Sequence, residues 1–114
     1  MATDVIDCVF CNIIERKVPS TIVFENDRVM AIEDIAPKAP VHYVIIPKKH
    51  VRDIRALESQ DLSIARDLFA AAQELSKKIP GADDFKFVIN SGYQAGQRVF
   101  HLHAHFLVGY QSDL

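Results

Sequence analysis

Three imidazoles stand at alternate positions in FHLHAHFLVG, residues 100–109: His101, His103 and His105. Successive strand side chains point to opposite faces, so these three share one face while Leu102, Ala104, Phe106 and Val108 share the other. The apolar set is expected to meet the core. The imidazoles then stand on the uncovered face, roughly 6.5–7 Å apart along the strand. A lone histidine in such a place is most often a half-exposed surface or interface residue. Three at period two, beside a glycine-bearing loop, favour either a metal site or nucleophilic catalysis. Imidazole offers neutral and protonated forms near pH 7 (reference pKa ~6.5), can attack phosphorus, and can be oriented by flanking groups. Metal–nitrogen bonds are only ~2.0–2.1 Å long, so rings diverging along a strand do not easily converge on one ion.

The loop before them, NSGYQAGQ, supplies Gly92 and Gly96 for close backbone approach, with Asn90 and Gln97 as neutral polar groups. Backbone N–H groups of such a loop can hold phosphate oxygens. Its spacing matches neither a P-loop nor a dinucleotide fingerprint, so its weight comes from adjacency to the histidines. The two cysteines, Cys8 and Cys11, form a C-x-x-C. In a reducing compartment that spacing suits a metal or redox site better than a structural disulfide, and two buried thiols without metal are a third reading. A thioredoxin-like role needs a βαβ context that the sequence lacks.

The elements that must carry these groups are legible from periodicity. CVFCNIIERK reads as a short helix ended by VPS. TIVFEN and RVMAIED read as a hairpin turning at Asn26–Asp27, and VHYVIIP as a third strand halted by Pro47. From Ser59 to Ile79 the spacing changes to three and four through Leu62, Ala65, Leu68, Phe69, Ala72, Leu75 and Ile79. This is an amphipathic helix, capped by Ser59, with Asp61 in its first turn, Lys77 and Lys78 in its last, and stopped at Pro80–Gly81. FKFVIN and VFHLHAHFLVG supply strands four and five. The expected class is α+β: a five-stranded, mostly antiparallel sheet with one long and one short helix, the long one covering one face.

The 114 residues suffice for a single domain, taken as 1–114, without repeats or linkers. With 49% hydrophobic and 25% charged residues and a net charge of -2, the chain has no basic stripe for a nucleic-acid backbone, although a small anionic ligand needs only local donors. The acidic start MATDVIDC does not resemble a signal peptide, and no apolar run reaches the ~18–20 residues of a membrane span. A cytoplasmic location is the default, and a nuclear one is equally compatible.

HLHAHFL matches the signature of the histidine triad (HIT) superfamily, in which three histidines alternate with apolar residues. FCNIIERKVPSTIVFEND, EDIAPKAPVHYVIIPKKH and NSGYQAGQRVFHLHAH extend the resemblance over nearly the whole chain. Length and the middle block are most similar to the Hint branch, small purine nucleoside phosphoramidases. The resemblance implies a homodimer whose two sheets run into one, and a purine nucleotide substrate such as adenosine 5′-monophosphoramidate. It implies His103 as nucleophile on the α-phosphorus, His105 on the phosphate, and the His101 carbonyl fixing the tautomer of His103. Asn90 and Gln97 would hold phosphate oxygens at the Gly96 loop, and Asp34 the ribose hydroxyls. Phe10, Ile13, Ile32 and Ile35 would line the base, although Asp34 also suits a turn and those four also suit packing. His42 matches a position near the family's site, where a structural role suits it as well as a chemical one.

Some relatives make a tetrahedral zinc site from the C-x-x-C, a histidine after the third strand and the first triad histidine. The matching residues are Cys8, Cys11, His50 and His101, a closed structural set that implies no catalytic metal and no organic cofactor. Two features depart from the family: Arg98 stands where Hint proteins often carry Ser or Thr near the leaving group, and the tail GYQSDL is short. The nearer rival is a dinucleoside polyphosphate hydrolase of the Fhit type. A nucleotide-binding adaptor with incidental hydrolysis is the rival from another class. A uridylyltransferase, with Gln in place of His105, and a DNA-end deadenylase, with a basic extension, fit less well.

Overall fold

The computed structural model describes residues 8–109. Its organising feature is a run in which every side chain is buried: Val29, Met30, Ala31 and Ile32 all lie inside. A strand buried on both faces loses the alternation of a half-exposed one and reads as continuous apolar residues. This strand, β2 (Val29–Glu33), sits between β1 (Ile22–Glu25) and β3 (Val41–Pro47). Strand β5 (Ala104–Val108) follows on the far side of β3, with β4 (Lys86–Val88) outermost. The order is β1-β2-β3-β5-β4, and every pairing is antiparallel. The β1–β2 turn is held by Asn26, whose Oδ1 accepts from the amides of Arg28 (2.8 Å) and Val29 (2.9 Å).

Both faces are covered, a correction to the expected one-sided sheet. On one face Val29, Ala31, Ile45, Leu102, Ala104 and Phe106 pack against the long helix α2 (Ser63–Lys78). On the other, Met30, Ile32, Val44 and Ile46 pack against the short helix α1 (Val9–Ile14) through Phe10 and Ile13, with Cys8 and Cys11 in the same cluster. The alternation expected for residues 102–108 holds, yet the histidine face is not open: His101 is fully buried and His103 is 6% exposed.

Several boundaries moved for identifiable reasons. Helix α2 begins at Ser63, not Ser59: residues Ser59–Asp61 form a 3-10 turn closed by a reciprocal capping box between Glu58 and Asp61, and Asp61 also pairs with Lys49. The buried stripe of α2 is Ile64, Leu68, Ala71, Ala72 and Leu75, whereas Leu62, Ala65 and Phe69 face outward. Phe69 instead meets the edge of Phe87 at 5.4 Å. Helix α1 ends before VPS, where Arg16 takes a left-handed conformation (φ 64°). Strand β5 is shorter than expected, so His101 and His103 lie in the irregular segment leading into it. No helix among the described residues is long and apolar enough to cross a membrane.

Candidate functional site

The segment entering β5 is anchored at His101 and Leu102. The amide of Leu102 donates to the carbonyl of Val51 (2.7 Å), and His101 Nε2–H donates to the carbonyl of Pro47 (2.8 Å). With the backbone so fixed, the carbonyl of His101 points at the next imidazole and accepts from His103 Nδ1 at 2.7 Å. A carbonyl has only lone pairs, so the proton of His103 is on Nδ1 and Nε2 is left as the basic nitrogen. Burial is the main cause that lowers the pKa of His103, partly opposed by that hydrogen bond and by the charge of Asp34. The ring is therefore neutral at pH 7, with a nucleophilic lone pair and an oriented tautomer. Phe10 meets it edge-on at 5.0 Å from α1, holding its plane.

His105 follows on the same face, its ring 5.2 Å from that of His103. Its Nδ1 lies 2.9 Å from Nε2 of His42 on β3, which is itself 3.3 Å from Oδ2 of Asp34. Burial first, then the neighbouring histidines, lowers the pKa of His105 to about 4. Burial also lowers that of His42, against the opposing charge of Asp34. Asp34 is the turn former that its sequence allowed, and it stands at the cavity. Oδ1 accepts from the amide of Ala36 at 2.8 Å, closing a turn, and its carboxylate borders the cavity in front of the histidines.

That cavity has a volume of about 780 Å³. His103 and His105 form part of its wall, and all four expected apolar residues, Phe10, Ile13, Ile32 and Ile35, line it. They do so differently. Phe10, Ile13 and Ile32 are buried and double as packing between α1 and the sheet, whereas Ile35 is 99% exposed at the rim. Val18, Val44, Val99 and Leu107 add to the apolar wall, and the sequence reading did not single them out as lining residues. Val44 and Leu107 carried a signal, since they share the strand face of His42 and His105. Val18 and Val99 lie in loops and carried none.

Asn90 and Gly96 border the cavity. Asn90 Nδ2 donates to the carbonyl of Ala95 at 2.9 Å, and Gly96 takes φ 101°, which a side chain rarely adopts, closing the turn beside it. Gln97 does not reach the cavity. It is 1% exposed and its amide is spent inside the loop: Oε1 accepts from Gly92 (2.8 Å), and Nε2 donates to the carbonyls of Arg52 (2.8 Å) and Val99 (3.0 Å). The expected phosphate contact is thus replaced by a brace that shapes the loop from behind. Arg98 lines the cavity with its guanidinium stacked 4.3 Å over Tyr93 and Nη1 on the carbonyls of Tyr93 and Gln97. The tail residues 110–114 lie outside the described residues.

The second constellation lies behind the triad. Cys8, which caps α1 by accepting from the Cys11 amide, Cys11, His50 and His101 bring one ligand atom each within 4.8 Å of one another. His101 donates from Nε2, so its Nδ1 presents a lone pair. That atom has Cys8 Sγ at 3.4 Å, Cys11 Sγ at 3.5 Å and His50 Nδ1 at 3.1 Å. Cys11 Sγ to His50 Nδ1 is 3.2 Å. A tetrahedron with Zn–S ~2.3 Å and Zn–N ~2.0–2.1 Å has S···N edges of about 3.6 Å and N···N edges of about 3.3 Å. The donor set and its spacing fit a tetrahedral soft-metal site. Burial and the adjacent Cys8 push the Cys11 thiol up to about 12, so without a cation Cys11 is a protonated thiol crowded against a lone pair.

Residues 7–113 match the family model described as scavenger mRNA decapping enzyme C-term binding. Over 109 residues the chain is 40% identical to the adenylylsulfatase HINT1 of Arabidopsis thaliana, covering 92% of this chain and 73% of that protein. A HIT family hydrolase from Clostridium thermocellum superposes with a TM-score of 0.87 at 43% identity, covering 95% of this chain and 93% of the other. A zinc-bound histidine triad family protein from Mycobacterium smegmatis superposes with a TM-score of 0.81 at 27% identity, covering 96% and 79%.

Proposed function

The chain belongs to the histidine triad superfamily, in its Hint-like branch, and from that membership we propose that it cleaves the P–N bond of nucleoside 5′-phosphoramidates. The observation that carries this is the His103 Nδ1–H bond to the His101 carbonyl, which leaves Nε2 neutral and basic beside an apolar, nucleoside-sized cavity. In this reading Nε2 attacks the α-phosphorus, and the P–N bond breaks with its electron pair on the departing amine, which takes a proton from solvent. Water then attacks the nucleotidyl-His103 intermediate. The P–Nε2 bond breaks and the monophosphate leaves. His105 and Asn90 hold phosphoryl oxygens, Gly96 lets the loop approach, Gln97 braces it, and Asp34 takes the ribose hydroxyls. Phe10, Ile13, Ile32 and Ile35 enclose a purine.

Cys8, Cys11, His50 and His101 would hold zinc, which when bound supplies a structural brace in a closed four-ligand site. The residues themselves tie α1, the segment after β3 and the His101 backbone to one point. Two copies joined through the open edge at β4, where Phe69 and Phe85 are exposed, belong to the same proposal.

A second reading has a specific observation behind it. The Arabidopsis relative is named an adenylylsulfatase, and the same attack by His103 with sulfate as leaving group would hydrolyse adenylyl sulfate. Turnover of an adenosine 5′-phosphoramidate with a fluorescent amine, of adenylyl sulfate and of a diadenosine polyphosphate, each with wild type and His103→Ala, separates these. Preference for the phosphoramidate, lost in the variant, supports the first reading. Equal rates for both proteins would defeat all three, leaving the adaptor.

A further inference from the structure

We propose that His42 is a positioning residue that locks His105 as a hydrogen-bond donor, its Nε2–H directed to the substrate, through a chain of donors that starts at the backbone amide of Lys38. The Lys38 amide can only donate, and it lies 3.1 Å from His42 Nδ1, so that nitrogen carries a lone pair. A neutral His42 therefore bears its proton on Nε2. That N–H has two acceptors, His105 Nδ1 at 2.9 Å and Asp34 Oδ2 at 3.3 Å. The nearer one, accepting, must hold a lone pair, which places the proton of His105 on Nε2.

The same geometry disfavours either ring as a cation. A proton on His42 Nδ1 would face the Lys38 N–H, and one on His105 Nδ1 would face the His42 N–H. Burial acts in the same sense on both rings. His105 is thus a neutral donor that keeps its proton while phosphoryl charge develops, a fixed dipole rather than a general acid. Asp34, His42 and His105 lie close enough together to invite a metal assignment. A protonated Nε2 on His42 has no lone pair to give a cation, so the donor chain and a metal there are mutually exclusive.

The role of the donor rests on the hydrolase reading, whereas the tautomer does not, and the test keeps them apart. Long-range proton–nitrogen NMR on the uniformly 15N-labelled full chain should show His105 and His42 each with an unprotonated Nδ1 and a protonated Nε2. His42→Gln keeps a donor near the Nε2 position, and His42→Asn keeps only the Nδ1 side. The expected result is one His105 tautomer and kcat within about tenfold of wild type for His42→Gln. For His42→Asn we expect mixed tautomers and kcat down about 10- to 100-fold, the usual range for orienting partners, with KM little changed. A protonated Nδ1 on His105 in the wild type, wild-type kcat in His42→Asn, or selective broadening of the His42 and His105 signals by added Mn²⁺ would overturn the proposal. Absence of any hydrolysis by the wild type would defeat the functional reading and leave the tautomer result to be judged alone.

Discussion

The carbonyl of His101 lies 2.7 Å from Nδ1 of His103, while the ring of His101 turns its own Nδ1 to two thiols and a second imidazole. One residue thus belongs to both constellations, its backbone to the nucleophile and its side chain to the cysteines. Whatever holds the ring of His101 also holds the hydrogen bond that sets the tautomer of His103.

The cysteine–histidine set predicts a metal-dependent stability. Protein purified without chelator should carry close to one equivalent of zinc per chain. Its removal should lower the melting temperature by roughly 5 °C or more, restored by added Zn²⁺. Cys11→Ser should reproduce the loss. No metal by elemental analysis, with melting unmoved by chelator, would contradict the assignment.

Gln97 separates a brace from a ligand. Gln97→Ala leaves the Gly92 amide and two loop carbonyls without their partners, which should cost about 1–3 kcal/mol of stability in denaturant unfolding. A direct phosphate ligand, by contrast, would raise KM and leave stability alone.

Ile35 is expected to do the reverse. At 99% exposure it contributes little to packing, so Ile35→Asp should change stability by less than about 0.5 kcal/mol. As part of the cavity rim it should nonetheless raise KM for a purine nucleotide about threefold or more. Unchanged KM would remove it from the binding wall.

How far the sequence carried this reading differs by element. Strand β3 was legible to the residue because VHYVIIP is bounded by prolines and rich in β-branched side chains. The alternation at 102–108 was equally plain. Helix α2 was misread at its start because Glu58 and Asp61, three positions apart in the way a capping box requires, compete with Ser59, and only the fold shows that they close a separate 3-10 turn. Gln97 looked like a phosphate ligand from its place in the loop, since nothing local reveals carbonyls of Arg52 and Val99 waiting for its amide. The Lys38–His42–His105 chain was invisible for a similar reason: one of its links is a backbone amide, and pairing of His42 with Leu107 across β3 and β5 sets the others.

The buried histidines predict acid sensitivity in the metal-free protein. His101 and His105 are held down to about 4, chiefly by burial, against ~6.5 unfolded, and His42 and His103 shift in the same direction. Between these values the unfolded chain binds more protons than the folded one. Stability is therefore complete above about pH 6.5 and declines as pH falls toward about 4. Denaturant midpoints measured at pH 7.5, 6, 5 and 4.5 should fall in that order, and a flat profile would contradict the lowered values.

The central claim is that His103 becomes covalently nucleotidylated, and the most direct measurement is to trap it. Wild-type protein mixed with an adenosine 5′-phosphoramidate, quenched in alkali within the first turnover and analysed by peptide mass spectrometry, should carry an adenylyl group on His103. The group should be absent from His103→Ala, whose turnover should fall by at least about 10³-fold. Hydrolysis at the wild-type rate in the variant, or an adduct on another residue, would contradict the account.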